Sequence, residues 1–229
     1  MPDFLLNYYV IYILLIAAFI FSIFASVNVK STFRKYNRMP SSMGKTAAQV
    51  AREILDSNGL YNVQVGVIHG ELTDNYNPKT NTVSLSSSVY NSTSVGAIGV
   101  AAHEVGHAIQ YAQDYIPIKI RMAILPFAQF GSSAWMLFFI LGLVFDNHIL
   151  RGIGIILFAA IVLFQLITLP VEFNASRRAL STIKQQGFLY GAEYTGAKKT
   201  LTAAAMTYVA SLAVAILQLL RLIANSRRR

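Results

Sequence analysis

The chain has 229 residues, of which 55% are hydrophobic and only 13% charged. A soluble domain carries about 25% charged residues, so this composition points to a bilayer rather than to an aqueous globule. The net charge of +9 comes without a nucleic-acid motif, and the Lys and Arg residues sit beside apolar runs, as membrane flanks do. There is no cysteine, which excludes disulfides and thiolate metal sites.

Leu5 to Val27 is an apolar run long enough to cross a bilayer. No basic residue precedes it, it exceeds a signal-peptide core, and no A-x-A site follows, so it reads as an uncleaved first span. Residues 28–120 form the main polar region. Thr46 and Gln49 have capping-box spacing and open a helix through Leu55, with Gly59 as its stop. Val63, Val65 and Val67 alternate, which predicts a strand over 62–68. A second extended stretch is expected near Leu72 to Tyr76, then a turn over Asn77 to Asn81, then a strand over Thr82 to Ser86 with Val83 and Leu85 on one face. Together these predict a small antiparallel sheet. A helix from about Ser94 to Ala112 follows, and its apolar stretch, Val95 to Ala102, is too short to span.

Ile124 to Phe145 is the second span, where Gly131, Ser132, Ser133 and Ala134 would admit a neighbouring helix. Asp146 to Arg151 read as a short polar turn. Gly152 to Leu169 form the third span, closing at Pro170, and residues 171–200 are again polar. Leu201 to Ile223 form the fourth, with Ala203, Ala204, Ala205, Ala210, Ala213 and Ala215 as small packing residues. The expected fold is mainly α: a multi-pass membrane protein of about four transmembrane helices with a small cytoplasmic α+β part. Lys30, Arg34, Lys35, Arg38, Lys45, Lys119 and Arg121 flank the first polar region, and Arg177, Arg178, Lys184, Lys198 and Lys199 lie in the second. By the positive-inside rule both regions are cytoplasmic and the N-terminus is outside. Arg227, Arg228 and Arg229 disagree: four spans put them outside unless the last segment does not cross fully.

The chemistry is concentrated in His103-Glu104-Val105-Gly106-His107. Residues four apart share a helix face, so His103 and His107 can point at one cation, with the Glu104 carboxylate angled toward the remaining metal position. This arrangement suits a divalent metal with a nearby general base. The bland alternative, two histidines buried in a helix by chance, gives them no packing use among Ala and Gly. Gly106 costs about 1 kcal/mol in a helix relative to Ala, a cost that close access by substrate or by another backbone would explain.

A catalytic zinc takes a third protein ligand. His148 lies in the short loop beyond the second span, and His69 in a strand-end loop. Glu172 follows Pro170 directly and shares a helix face with Ser176. A carboxylate at the membrane boundary is costly unless bound to a metal or paired, so Glu172 is either a ligand or a surface Glu paired with a neighbouring Arg.

These residues resemble the YugP-type family of bacterial membrane zinc metallopeptidases over nearly the whole chain: the first span, Asp74 to Pro78 with the strand after it, His103 through Gln110, and Pro170 through Ala179. The family pattern has His-Tyr-Asp-Pro where this chain has Asn75-Tyr76-Asn77-Pro78, a departure that leaves the zinc motif untouched. More distantly the chain is similar to membrane gluzincins of the HtpX and CAAX-protease type. The resemblance implies a zincin-like metallopeptidase part, one Zn2+ per chain, Glu172 as third ligand, and a bacterial cell membrane location. The relatives carry an Asp where this chain has Ser176, so the surroundings of the zinc differ.

The expected function is a zinc-dependent endopeptidase acting on peptide bonds of membrane or membrane-associated proteins near the cytoplasmic surface, with Glu104 as general base. Tyr76, Tyr111, Arg177 and Arg178 are candidate transition-state donors. Thr82, Val83, Ser84, Leu85 and Ser86 are either an exposed edge that pairs with substrate backbone or an ordinary sheet strand. The expected partners are a protein or peptide substrate and the bilayer, with no nucleic acid; a membrane adaptor or a homo-oligomer stays open. A metal-binding membrane scaffold without proteolysis is the alternative, and Glu104 argues against it. A transporter is disfavoured because the spans lack acidic residues.

Overall fold

The computed structural model describes residues 8–226. Leu5, Leu6 and Asn7 of the expected first span, and Arg227, Arg228 and Arg229, lie outside the described residues. Four long helices dominate: α1 (Tyr8–Tyr36), α5 (Ile116–Val144), α6 (His148–Gln185) and α7 (Gly191–Ser226). Each is long and apolar enough to cross a membrane, and each overlaps one of the four expected spans, the third and fourth wholly, the second up to Val144 and the first from Tyr8. Three shorter helices, α2 (Ala47–Ser57), α3 (Ser87–Tyr90) and α4 (Val95–Ala112), accompany three strands, β1 (Gln64–Ile68), β2 (Asn75–Asn77) and β3 (Thr82–Ser86).

The chain divides into two compact units. The first holds residues up to Ser26, Pro117–Pro170, and those from Thr207 onward. Here small residues set helix spacing. A side chain at Gly131 would meet the Leu157 carbonyl at 2.6 Å, and one at Gly154 would meet the Phe139 backbone at 2.8 Å. Trp135 packs edge-on against Phe158, with ring centroids 4.8 Å apart. Large apolar side chains such as Phe19, Ile20, Phe130 and Ile156 remain exposed, a surface that water would penalise and lipid would not.

The second unit holds Val27–Ile116 and Val171–Met206. Thr46 caps α2 with the expected reciprocal box: its hydroxyl accepts from Gln49 N and its own N–H donates to Gln49 Oε1. α2 buries Val50, Ala51, Ile54 and Leu55 against a core that includes Val83, Leu85, Val89, Ile98, Val105 and Ile183. α4 is buried along most of its length, and the Ser94 hydroxyl caps it by accepting from Ala97 N. α3 is a short helix that the sequence reading did not anticipate.

Three expectations are corrected. The sheet is mixed, not antiparallel: its order is β1-β3-β2, with β1 parallel to β3 and β2 antiparallel to it. Alternating residues look the same in either pairing, so the pattern along one strand does not choose its partner. Thr82 to Ser86 is therefore the central strand, hydrogen-bonded on both sides, and not an edge open to substrate. Finally, the helix of the third span does not stop at Pro170 or begin after Arg151. It starts at His148 and runs to Gln185. Proline inside a helix costs about 3 kcal/mol or more. Beyond it Val171, Ala175, Ala179 and Ile183 form a buried stripe at four-residue spacing, and burial of that stripe offsets the lost hydrogen bond.

Replacing Thr46 by Ala removes the cap and is expected to cost about 1 kcal/mol. In detergent this should appear as a melting temperature lower by about 2–4 °C, with the helical signal unchanged.

Candidate metal centre

α4 carries His103, Glu104 and His107 on consecutive turns, and α6 carries Glu172 and Ser176. Glu172 Oε2 lies 3.2 Å from His103 Nε2 and 3.6 Å from His107 Nε2. Among the described residues these three form the group that could hold a metal ion, with one donor atom from each within 4.8 Å of the others. Ligands at about 2.0–2.1 Å from a tetrahedral ion are about 3.3–3.4 Å apart, close to both Glu172–histidine separations, and the His-His-Glu donor set fits zinc in its chemistry. Glu172 is 2% exposed, which separates it from a solvated surface carboxylate. His69 and His148 are not part of the group.

Both outer imidazole nitrogens are tethered, which leaves the Nε2 atoms for a cation. His103 Nδ1 is 3.1 Å from Ser176 Oγ, and His107 Nδ1 is 3.0 Å from Gln110 Oε1. Ser176 thus occupies the place that the family resemblance had marked as different. The sequence pattern assigns Gln110 no role. Its spacing of three from His107, on the same helix face, was the available signal.

The two helices meet because of Gly106. A side chain there would come within 2.8 Å of the Ala175 carbonyl oxygen and 3.3 Å of its Cα. The glycine therefore serves the approach of another backbone.

Burial sets the electrostatics. Desolvation raises the pKa of Glu104; the two histidines lower it, and the charges of Glu172 and Asp74 raise it again. Burial works against a charged His107, but the Glu172 carboxylate and the Glu104 charge outweigh it and raise its pKa. Asp74 is raised by burial as well, against hydrogen bonds from Ser86 N (2.7 Å) and Ser86 Oγ (3.1 Å). The Glu104 carboxyl thus sits among charges that a cation would balance.

The candidate transition-state donors divide. Tyr76 packs its ring 5.5 Å from that of Tyr111, while its hydroxyl, held protonated by burial, donates to Asn81 Oδ1 at 2.9 Å. Arg178 donates to Asn174 Oδ1 (2.7 Å) and Gln113 Oε1 (2.6 Å), with its guanidinium 6.0 Å from the Tyr115 ring centre. Arg177 is exposed.

Four helices able to cross a membrane among the described residues, together with a His-His-Glu cluster in which His107 and Glu172 are buried, beside the buried Glu104, describe a membrane metalloenzyme. The chain matches, over residues 11–227, the family described as "Putative neutral zinc metallopeptidase", and it belongs to that family. It is also 48% identical, over 210 residues, to the "Putative membrane protease YugP" of Bacillus subtilis (strain 168), covering 92% of this chain and 93% of that protein. No solved structure matches.

Two glycines should respond oppositely to the same change. Gly106→Ala is expected to drive α4 from α6 and yield protein with little zinc, measured by elemental analysis after purification. Gly152→Ala, where nothing lies within 4 Å of the added carbon, should leave zinc unchanged and stabilise its helix by up to about 1 kcal/mol.

Proposed function

We propose that the chain is a zinc-dependent membrane endopeptidase in which His103, His107 and Glu172 hold one zinc ion per chain and Glu104 is the general base. The observation that carries this reading is the convergence of His103, His107 and Glu172 around one point beside the buried Glu104. A bound zinc ion supplies Lewis acidity toward a scissile carbonyl and makes water acidic near neutral pH. Glu104, whose pKa burial raises, is suited to take a proton from attacking water and pass it to the leaving amine. Tyr111, four residues beyond His107 on the same helix, and Tyr76, whose ring packs against it, are the two tyrosine candidates for stabilising the transition state.

The site faces the cytoplasm in this reading, because the polar regions carrying it hold most of the Lys and Arg flanking the spans. A site close to the cytoplasmic headgroups favours membrane proteins with cytoplasmic segments, or released membrane peptides, as substrates.

Purified wild-type protein should cleave members of a mixed peptide library, whereas Glu104→Gln should retain equal zinc and cleave none. Cleavage surviving in Glu104→Gln would remove the general-base assignment. Equal zinc with no cleavage by either protein would favour a metal-holding scaffold.

Orientation has a separate test, simplified by the absence of cysteine. In intact cells a membrane-impermeant maleimide should label Asn147→Cys and spare Lys79→Cys. The reverse pattern would place the site outside.

A further inference from the structure

We propose that Arg178, Asn174 and Gln110 form a hydrogen-bond relay that fixes the tautomer of His107 and so aims its Nε2 lone pair at the metal position. Gln110 acts here as a positioning residue. The proposal rests on the reading of His107 as a ligand.

The direction of each bond in the relay follows from groups that have no choice. A guanidinium only donates. Arg178 Nε is 2.7 Å from the Asn174 side chain, so Asn174 must present its oxygen there. Gln110 meets that same oxygen at 2.9 Å and the Val171 carbonyl at 2.9 Å. Both partners are acceptors, so the Gln110 amide must place its NH2 toward them. Its oxygen is then left facing His107 Nδ1 at 3.0 Å. An amide oxygen only accepts, so in the neutral imidazole, the form that binds a metal, the proton sits on Nδ1 and the lone pair on Nε2.

Burial makes the relay binding on His107. Gln110 is fully buried, and no bulk water can replace a mismatched partner. The far end is anchored too. Arg178 also donates to Gln113 Oε1 at 2.6 Å, and Gln113 is the residue that ends α4. The chain of bonds therefore leaves α4 at its C-terminal cap, crosses to α6, and returns to α4 one turn beyond His107.

His103 differs. Its Nδ1 faces the Ser176 hydroxyl at 3.1 Å, which can donate or accept. That contact orients the ring without choosing its tautomer. The two histidines are thus held by unlike means, one by a hydroxyl and one by a relay with fixed polarity.

The test measures metal affinity by chelator competition on the full-length protein in detergent, with the visible spectrum of the cobalt(II)-loaded form as a second readout. The variants are Gln110→Met, Asn174→Leu, Asn174→Asp and His107→Ala. Asn174→Asp keeps an acceptor for both donors, so it should hold metal like the wild type. Asn174→Leu and Gln110→Met should weaken binding roughly 10–100-fold and shift the cobalt bands. His107→Ala should weaken it at least as much. If Asn174→Asp and Asn174→Leu lose affinity equally, or if neither Asn174→Leu nor Gln110→Met loses any while His107→Ala does, the relay is overturned and only packing remains. If His107→Ala binds metal like the wild type, the ligand assignment itself fails. Should Gln110→Met not fold, the Asn174 pair decides alone, because those two side chains are similar in size and differ in polarity.

Discussion

The candidate metal centre depends on one close approach. Glu172 can reach both His103 and His107 only because Gly106 puts no side chain between α4 and the backbone of Ala175. A methyl group there meets a carbonyl oxygen that belongs to a helix and cannot turn aside. The cost of glycine in a helix is about 1 kcal/mol, small beside what a three-ligand site requires. On α6, Pro170 gives up a backbone hydrogen bond just before Glu172, and the buried stripe from Val171 to Ile183 keeps the helix in place beyond it.

Glu172, Gln110 and Glu104 are buried, and each has neighbours that set its state. Two imidazoles offer their Nε2 atoms inward because their Nδ1 atoms are engaged outward, by Ser176 and by Gln110. The cluster is rich in carboxylates for so apolar a setting. Such a collection is stable only if a cation or protons balance it: burial, more than its charged neighbours, raises the pKa of Glu104, and the Glu172 and Glu104 carboxylates raise that of His107 against its burial. Membership of a zinc metallopeptidase family agrees with the first of these.

The sheet plays a supporting part. β3 is the middle strand, and its Val83 and Leu85 enter the core that backs α4. β2 brings Tyr76 against Tyr111, so the hairpin touches the helix that bears the histidines. Asp74, one residue before β2, is tied to Ser86 at the end of β3 and is near enough to raise the Glu104 pKa. The loop around it is thus electrostatically part of the site.

The sequence alone determined those features whose physics is local. Apolar runs located the four long helices, the Thr46–Gln49 spacing located the start of α2, and the His103–His107 spacing placed two imidazoles on one face, because helix periodicity is fixed by the backbone itself. Glu172 was legible as a candidate because a carboxylate beside an apolar span is costly. What only the tertiary structure decided involves residues far apart in the chain. The parallel pairing of β1 with β3, the central place of Thr82 to Ser86, the passage of α6 through Pro170, and the bond from Gln110 to Asn174 and Val171 all depend on which surfaces come together. A residue pattern records what one element can present. It does not record which element will face it, because that choice is made by packing across the whole unit.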